Sequence, residues 1–146
     1  MTNTGFPFIS PPWLSIAEHE IGQKEVLGSK NNERIKEYHK AVGLNWAGDD
    51  ISWCASFVAF CIKNCGLPLP ESPQAARSWL KWGTAITIPA FGCVAVFKRG
   101  NNPAEGHIGF FLGFEGNDII LLSGNYGNKV AVGKSPKKDI LGYRWI

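Results

Sequence analysis

The spacing of apolar residues along this 146-residue chain changes near Pro89. Before that point apolar side chains recur every three or four positions, which is the period of an amphipathic helix. After it they alternate with polar residues, or form short runs rich in Val, Ile and Phe, as strands do. Helices followed by strands predict an α+β domain in which N-terminal helices pack on an antiparallel β-sheet.

Four helices are predicted in the first part, and glycines mark their ends, since glycine readily adopts the left-handed conformation of a helix C-cap. The first follows Pro11 and weakens at Gly22, the second spans residues 32–42 with Asn31 or Asn32 as its cap, the third spans residues 53–65, and the fourth runs from Ser72 and Pro73 to Gly83. Strands are predicted at residues 93–97, 107–114, 118–122, 129–132 and 143–146, with a tight turn at residues 115–118.

Length and composition indicate one domain over residues 1–146, with residues 1–10 as a loosely ordered arm. A hydrophobic content of 45% with 12% aromatic residues is enough to form a core. No segment has the length of a membrane span, and the N-terminus lacks the basic and apolar regions of a secretory signal. We therefore expect a monomer that is made in the cytoplasm and does not insert into membranes.

Charged residues make up 18% of the chain, the net charge is +3, and the basic residues are scattered. A nucleic-acid-binding protein usually concentrates Lys and Arg on one face, so we expect no nucleic-acid partner. Three His residues without ligand-like spacing predict no structural metal, and nothing predicts a cofactor. The four cysteines, which are Cys54, Cys61, Cys65 and Cys93, contain no Cys-x-x-Cys pair and are expected to be reduced thiols.

Cys54 lies at the start of the strongly apolar third helix, directly after a polar loop. The unpaired amides at a helix N-terminus stabilise a thiolate and are expected to lower the pKa of the Cys54 thiol. The same amides could hold an oxyanion, with a second donor from the loop over residues 49–53. The alternative is that Cys54 is a small buried apolar residue like the other three cysteines.

His107 is the candidate partner, because it opens an apolar strand between two small residues, Gly106 and Gly109. An imidazole there could take the thiol proton and return it to a leaving amine. Asn125 follows the next strand and could orient the ring, or it could be a simple turn residue. His19 and His39 lie in polar helices and are expected on the surface.

Three segments carry a resemblance to a known group: Trp-Cys-Ala-Ser-Phe-Val at residues 53–58, Gly-His-Ile-Gly-Phe at residues 106–110, and Ser-Gly-Asn at residues 123–125. Together they resemble the NlpC/P60 and CHAP superfamily of peptidoglycan amidases and endopeptidases, over roughly residues 11–146. The resemblance implies a papain-like core, with Cys54 as nucleophile, His107 as base and Asn125 as the orienting residue. Ser123 stands where many CHAP domains have an acid, so the orienting role is assigned to Asn125 alone.

Five residues are predicted to line the substrate cleft: Glu25, Asp50, Ser52, Trp53 and Gly106. Glu25 and Asp50 could bind an amine or hydroxyl of the substrate, although acids at such positions are more often caps or solvated side chains. Four tryptophans could form the floor of a groove for glycan or peptide: Trp46, Trp53, Trp79 and Trp82. The three-residue spacing of Trp79 and Trp82 favours a packed helix face instead.

The resemblance implies a peptidoglycan hydrolase that acts through an acyl-thioester without a cofactor. Two cuts stay open, within the stem peptide (endopeptidase) or between the lactyl group and L-Ala (N-acetylmuramoyl-L-alanine amidase). Such a protein would act in the periplasm or on the cell wall, as a phage lysin after holin release or as a secreted effector paired with a cognate immunity protein. The alternatives are a non-catalytic wall-binding module and a papain-like deamidase or acyltransferase.

Overall fold

The computed structural model describes residues 10–26, 31–45, 47–48 and 52–146. Its helices are α1 (Pro12–His19), α2 (Glu33–Ala41) and α3 (Cys54–Lys63), and two short 3-10 helices span Ala76–Lys81 and Lys137–Asp139. Its strands are β1 (Thr84–Ile86), β2 (Val94–Lys98), β3 (Gly106–Glu115), β4 (Asp118–Tyr126), β5 (Lys129–Pro136) and β6 (Ile140–Trp145). No described helix combines the length and apolar character needed to cross a membrane.

The strands form one antiparallel sheet in the order β1-β6-β2-β3-β4-β5. β3 therefore lies between β2 and β4, and the register pairs Phe97 with His107 at the end where β3 begins. Arg99 follows the last residue of β2 and so also lies near the start of β3. This arrangement places the His107 imidazole, the Arg99 guanidinium and the last residues of β4 at the same end of the central strands.

The helices cover one face of the sheet, and α3 packs directly on β3 and β4. Successive residues of β2 face opposite sides of the sheet. Val94 and Val96 belong to the large core under the helices, whereas Ala95 and Phe97 belong to a smaller apolar cluster. α3 is buried along most of its length, which fits its nearly continuous apolar sequence. Its first residue, Cys54, is thus held by a rigid element.

The structure confirms the α+β class, the antiparallel sheet, and the position of Cys54 at a helix start. Asn32 caps α2, since its side chain accepts a hydrogen bond of 2.7 Å from the Arg34 amide. Trp79 and Trp82 are buried, as their spacing predicted. The predicted N-terminal arm falls almost wholly outside the described residues.

One predicted element was wrong, and one strand was missed. The fourth helix is only a 3-10 helix, and Ser72 is in a left-handed conformation with φ 52°, so it does not cap a helix there. β1 was not predicted, because three residues of mixed polarity at the sheet edge have no clear alternation.

Candidate active site

Cys54 is the first residue of α3, and the residue before it is anchored in the core. The Trp53 side chain is fully buried, stacks on Tyr38, and donates its indole N–H to Glu25 Oε2 at 3.0 Å. These contacts fix the entry of the chain into α3. They also overturn the prediction that the Trp53 side chain lines the cleft, because a buried indole held in this way has no face left for a substrate.

The Cys54 thiol lies at the floor of a pocket of about 290 Å³ and is 4% exposed. Burial raises its pKa above the ordinary value, although the charge of Arg99, the Ile108 amide, the Ser52 hydroxyl and the Ala55 amide all favour the thiolate. The predicted lowering of the pKa by the helix N-terminus is therefore outweighed by desolvation. Cys54 is a neutral thiol in this arrangement and needs a base to react.

His107 is 5% exposed, and each of its ring nitrogens has a partner. Arg99 Nη2 lies 3.2 Å from Nδ1, and Ser123 Oγ lies 3.2 Å from Nε2. A guanidinium can only donate, so Nδ1 must carry the lone pair and Nε2 the proton, which is donated to Ser123. Arg99 and Ser123 together define the tautomer of His107.

The pKa of His107 is lowered from 6.5 to about 4, first by burial and then by the positive charge of Arg99. The imidazole is therefore neutral over the whole physiological range. A neutral imidazole beside a neutral thiol is not an ion pair, so proton transfer must accompany attack on the substrate.

Cys54 and His107 line two adjoining pockets that share Arg99. The first is lined by Ser52, Cys54, Arg99 and Gly106 among others, and the second, of about 370 Å³, by Arg99, His107 and Asn125 among others. The sulfur lies close enough to the Ile108 amide for that N–H to favour the thiolate, one residue from His107 along β3. No hydrogen bond joins the thiol to the imidazole, and among the groups that the structure describes it is Arg99 that occupies the Nδ1 side.

Asn125 does not hold the imidazole in this structure, which departs from the prediction. It lies in the His107 pocket with a left-handed backbone, φ 57°, and the two side chains share no hydrogen bond. Ser123 is the orienting residue by geometry, because it is fully buried and contacts Nε2. The sequence signal was its place directly after a predicted strand, two residues before Asn125 in the Ser-Gly-Asn segment.

Glycines allow the elements of the site to approach each other closely. A Cβ on Gly124 would lie 2.6 Å from Phe57 Cβ, and one on Gly109 would lie 2.8 Å from Ser123 Cβ. A Cβ on Gly106 would lie 2.9 Å from the Phe97 carbonyl oxygen. Gly124 thus lets β4 contact α3, and Gly109 leaves room for the buried serine beside β3.

The remaining predicted cleft residues differ in their placement. Ser52 is exposed and lines the Cys54 pocket, and Gly106 lines it as well. Glu25 is the hydrogen-bond acceptor for Trp53 and lines a different pocket. Asp50, like Trp46, lies outside the described residues.

His39 was predicted on the surface and is instead fully buried, while His19 is exposed as predicted. His39 Nε2 is 3.1 Å from the Gly48 carbonyl oxygen, and Nδ1 is 2.9 Å from Ser56 Oγ. The imidazole therefore ties the segment before Cys54 to the first turn of α3. Sequence periodicity missed it because α2 is polar on average and gave no sign of which polar residue faces inward.

All four cysteines are free thiols, and Cys65 donates to the Cys61 carbonyl oxygen at 3.3 Å instead of forming a disulfide. Within the described ranges no group of three or more His, Cys, Asp or Glu side chains is placed to hold a metal ion.

Comparison with known proteins places residues 46–125 in a match to the CHAP domain family. Among solved structures, one similar chain is a protein similar to a lipoprotein of the NLP/P60 family, from Staphylococcus aureus subsp. aureus Mu50. The two chains share 17% identity with a TM-score of 0.47; the alignment covers 86% of this chain and 44% of the other, so this chain spans less than half of that protein's length. No curated protein matches the chain.

Proposed function

We propose, since the chain belongs to the CHAP domain family, that it is a cysteine amide hydrolase acting on the peptide part of peptidoglycan. Membership of this family implies a peptidoglycan-hydrolase type of function in general. The finer assignment is Cys54 as nucleophile, His107 as general base and Ser123 as the residue that orients the base. This assignment differs from the sequence prediction in one residue, because Ser123 takes the orienting role that was predicted for Asn125.

The observation that carries the proposal is the pair of contacts on the His107 ring, with Ser123 at Nε2 and Arg99 at Nδ1. Ser123 Oγ accepts from Nε2, so the basic lone pair is on Nδ1, the side on which Arg99 contacts the ring. Arg99 also lies close enough to the Cys54 sulfur to favour its thiolate. The lone pair and the thiol thus border the same guanidinium, at neighbouring positions of one cleft.

The proposed reaction has two halves. In the first, the Cys54 proton passes to His107 Nδ1 as Sγ bonds to the amide carbonyl carbon, and the imidazolium then gives that proton to the leaving nitrogen as the C–N bond breaks. In the second, His107 takes a proton from water as the water oxygen attacks the thioester carbon, and when the C–S bond breaks the imidazolium returns that proton to the Cys54 sulfur, which restores the thiol and the neutral imidazole. Ser123 accepts from Nε2 throughout, so the ring does not have to turn.

The developing oxyanion needs donors near the sulfur. The Cys54 backbone amide lies at the start of α3, where helix amides have no intrahelical partner, and the Ser52 hydroxyl borders the same pocket. We assign these two groups to the oxyanion site. A stem-peptide endopeptidase and an N-acetylmuramoyl-L-alanine amidase both fit this arrangement, in a phage lysin or in a secreted effector with an immunity protein as partner.

One observation favours a second candidate, a wall-binding module without turnover. Cys54 is only 4% exposed, and its side chain forms no hydrogen bond with that of His107, although the structure describes both. In that case the thiol would be structural, as it is for the buried Cys61 and Cys93.

The test compares the parent protein with Cys54→Ala on purified sacculi, with new termini identified by chromatography and mass spectrometry. Catalysis predicts release of peptides by the parent and a loss of at least a thousandfold in Cys54→Ala, because the nucleophile is gone. Cys65→Ala, which alters a half-buried thiol outside the cleft, is the matched control and keeps full activity. Binding of sacculi by parent and Cys54→Ala alike, with no cleavage by either, would establish the wall-binding module instead.

A further inference from the structure

Arg99 is the cation at which the two pockets meet, whereas Lys98 and Lys134 line the His107 pocket alone. Its side chain lines both pockets, and its hydrogen-bond partner is an imidazole nitrogen rather than an acid. The ion pairs between described residues leave it out. Arg77, the other arginine nearby, donates from Nε to the Glu105 carbonyl oxygen and from Nη2 to the Asn102 carbonyl oxygen, and it lines neither pocket. Arg99 is therefore the better placed of the two arginines to contact a ligand in these pockets.

Two described acids line the pockets that Arg99 shares. Glu105 borders the Cys54 pocket and accepts from Asn102 at 3.4 Å, and Asp139 borders the His107 pocket. Neither forms an ion pair with Arg99. A planar guanidinium that has no carboxylate partner among the described residues, at the meeting point of two pockets, has the geometry that binds a carboxylate with two parallel hydrogen bonds.

The contact between Arg99 and His107 has a cost for catalysis. Its donor points at Nδ1, the nitrogen that must receive the Cys54 proton, so the base is occupied as long as the contact lasts. A carboxylate is a much stronger acceptor for a guanidinium than a neutral imidazole is. Substrate carrying one would draw Arg99 off Nδ1 and free the lone pair in the same event.

We propose that Arg99 is a specificity-determining residue that binds a free carboxylate of the substrate near the scissile amide and, by doing so, releases His107 to act as base. The proposal rests on the hydrolase function above and narrows its substrate to peptides with a free, unamidated carboxylate within reach of the cleft. Arg99 acts on the chemistry through His107 and on the substrate directly.

The test uses pairs of synthetic stem peptides in which each free carboxylate is converted, one at a time, to the carboxamide. At one of the tested carboxylates, the parent protein should cleave the free acid with a kcat/KM at least tenfold higher than that of the carboxamide. The carboxamide peptide cannot form the charge-assisted pair with Arg99. Arg99→Gln should cleave both forms within about twofold of each other. Arg99→Lys keeps the positive charge but cannot form two parallel hydrogen bonds to a carboxylate, so it should retain part of the preference for the free acid.

Lys81→Gln is the control, because it removes one positive charge at an exposed position that lines neither the Cys54 pocket nor the His107 pocket. It should keep the full preference for the acid. The pH profile adds a readout that a structural role would not move: in Arg99→Gln the acidic limb of kcat/KM shifts to higher pH, because a cation that disfavours the imidazolium is gone.

The outcomes separate the two proposals. Cleavage of every acid and amide pair at equal rates by the parent, or an undiminished preference in Arg99→Gln, overturns the role of Arg99 and leaves the hydrolase function standing. No cleavage of any peptide or of sacculi by the parent overturns the hydrolase function itself.

Discussion

Ser123 Oγ lies 3.2 Å from His107 Nε2, and both side chains are buried at the point where β3 and β4 meet. Replacing Ser123 by Ala removes the acceptor for Nε2–H and frees the ring to turn. We expect kcat/KM on peptidoglycan to fall roughly tenfold to hundredfold, the effect of losing one buried hydrogen bond worth about 1–3 kcal/mol. Steady-state assays on soluble muropeptides measure it.

Asn125→Ala is the comparison that decides between the geometry and the family resemblance. Asn125 lines the His107 pocket without bonding to the ring, so its loss should cost less than the loss of Ser123. A larger drop for Asn125→Ala than for Ser123→Ala would return the orienting role to Asn125.

The depressed pKa of His107 makes folding stability dependent on pH. Its pKa is about 4 in the folded protein against 6.5 ordinarily, so between these values the unfolded chain binds a proton that the folded chain does not. Stability is therefore fully present above pH 6.5 and is lost as pH falls toward 4, by up to about 3 kcal/mol. Urea unfolding at a series of pH values measures this slope.

His107→Asn isolates that contribution from the other titrating groups. Asn does not ionise, so the difference in unfolding free energy between parent and variant should shrink as the pH drops from 6.5 to 4. A difference that stays constant over this range would mean that His107 titrates normally in the folded state.

Gly124 is where β4 touches α3, and its lack of a side chain is a packing requirement. In Gly124→Ala the new Cβ would meet Phe57 at 2.6 Å and the Trp53 ring at 3.0 Å, which pushes the Cys54 helix away from the sheet. We expect a loss of about 1–3 kcal/mol in unfolding free energy and reduced activity. Gly113→Ala is the control on β3, because its Cβ meets nothing within 4 Å, and it should stay close to the parent.

The spacing of apolar residues predicted the helices and strands that are buried along most of their length. α3 and β3 were found because apolar runs reflect burial along a whole element, and Cys54 and His107 were found because they lie at the first residue of α3 and the second residue of β3. Ser123 and Arg99 lie 16 and 8 positions from His107 in sequence, and strand register brings them to its ring, which no local period encodes. The lowered His107 pKa and the raised Cys54 pKa likewise depend on tertiary burial.

His39 provides the last test, because it is the buried polar residue that polarity alone placed on the surface. His39→Leu keeps a similar volume but leaves the Gly48 carbonyl and the Ser56 hydroxyl without their present partner, at a cost of about 3 kcal/mol. Because these two groups flank Cys54 in sequence, kcat should fall as well. His19→Leu, at an exposed site on α1, should stay within about 0.5 kcal/mol of the parent in the same urea unfolding measurement. Equal stability of the two variants would show that the imidazole bridge does not fix the entry to α3.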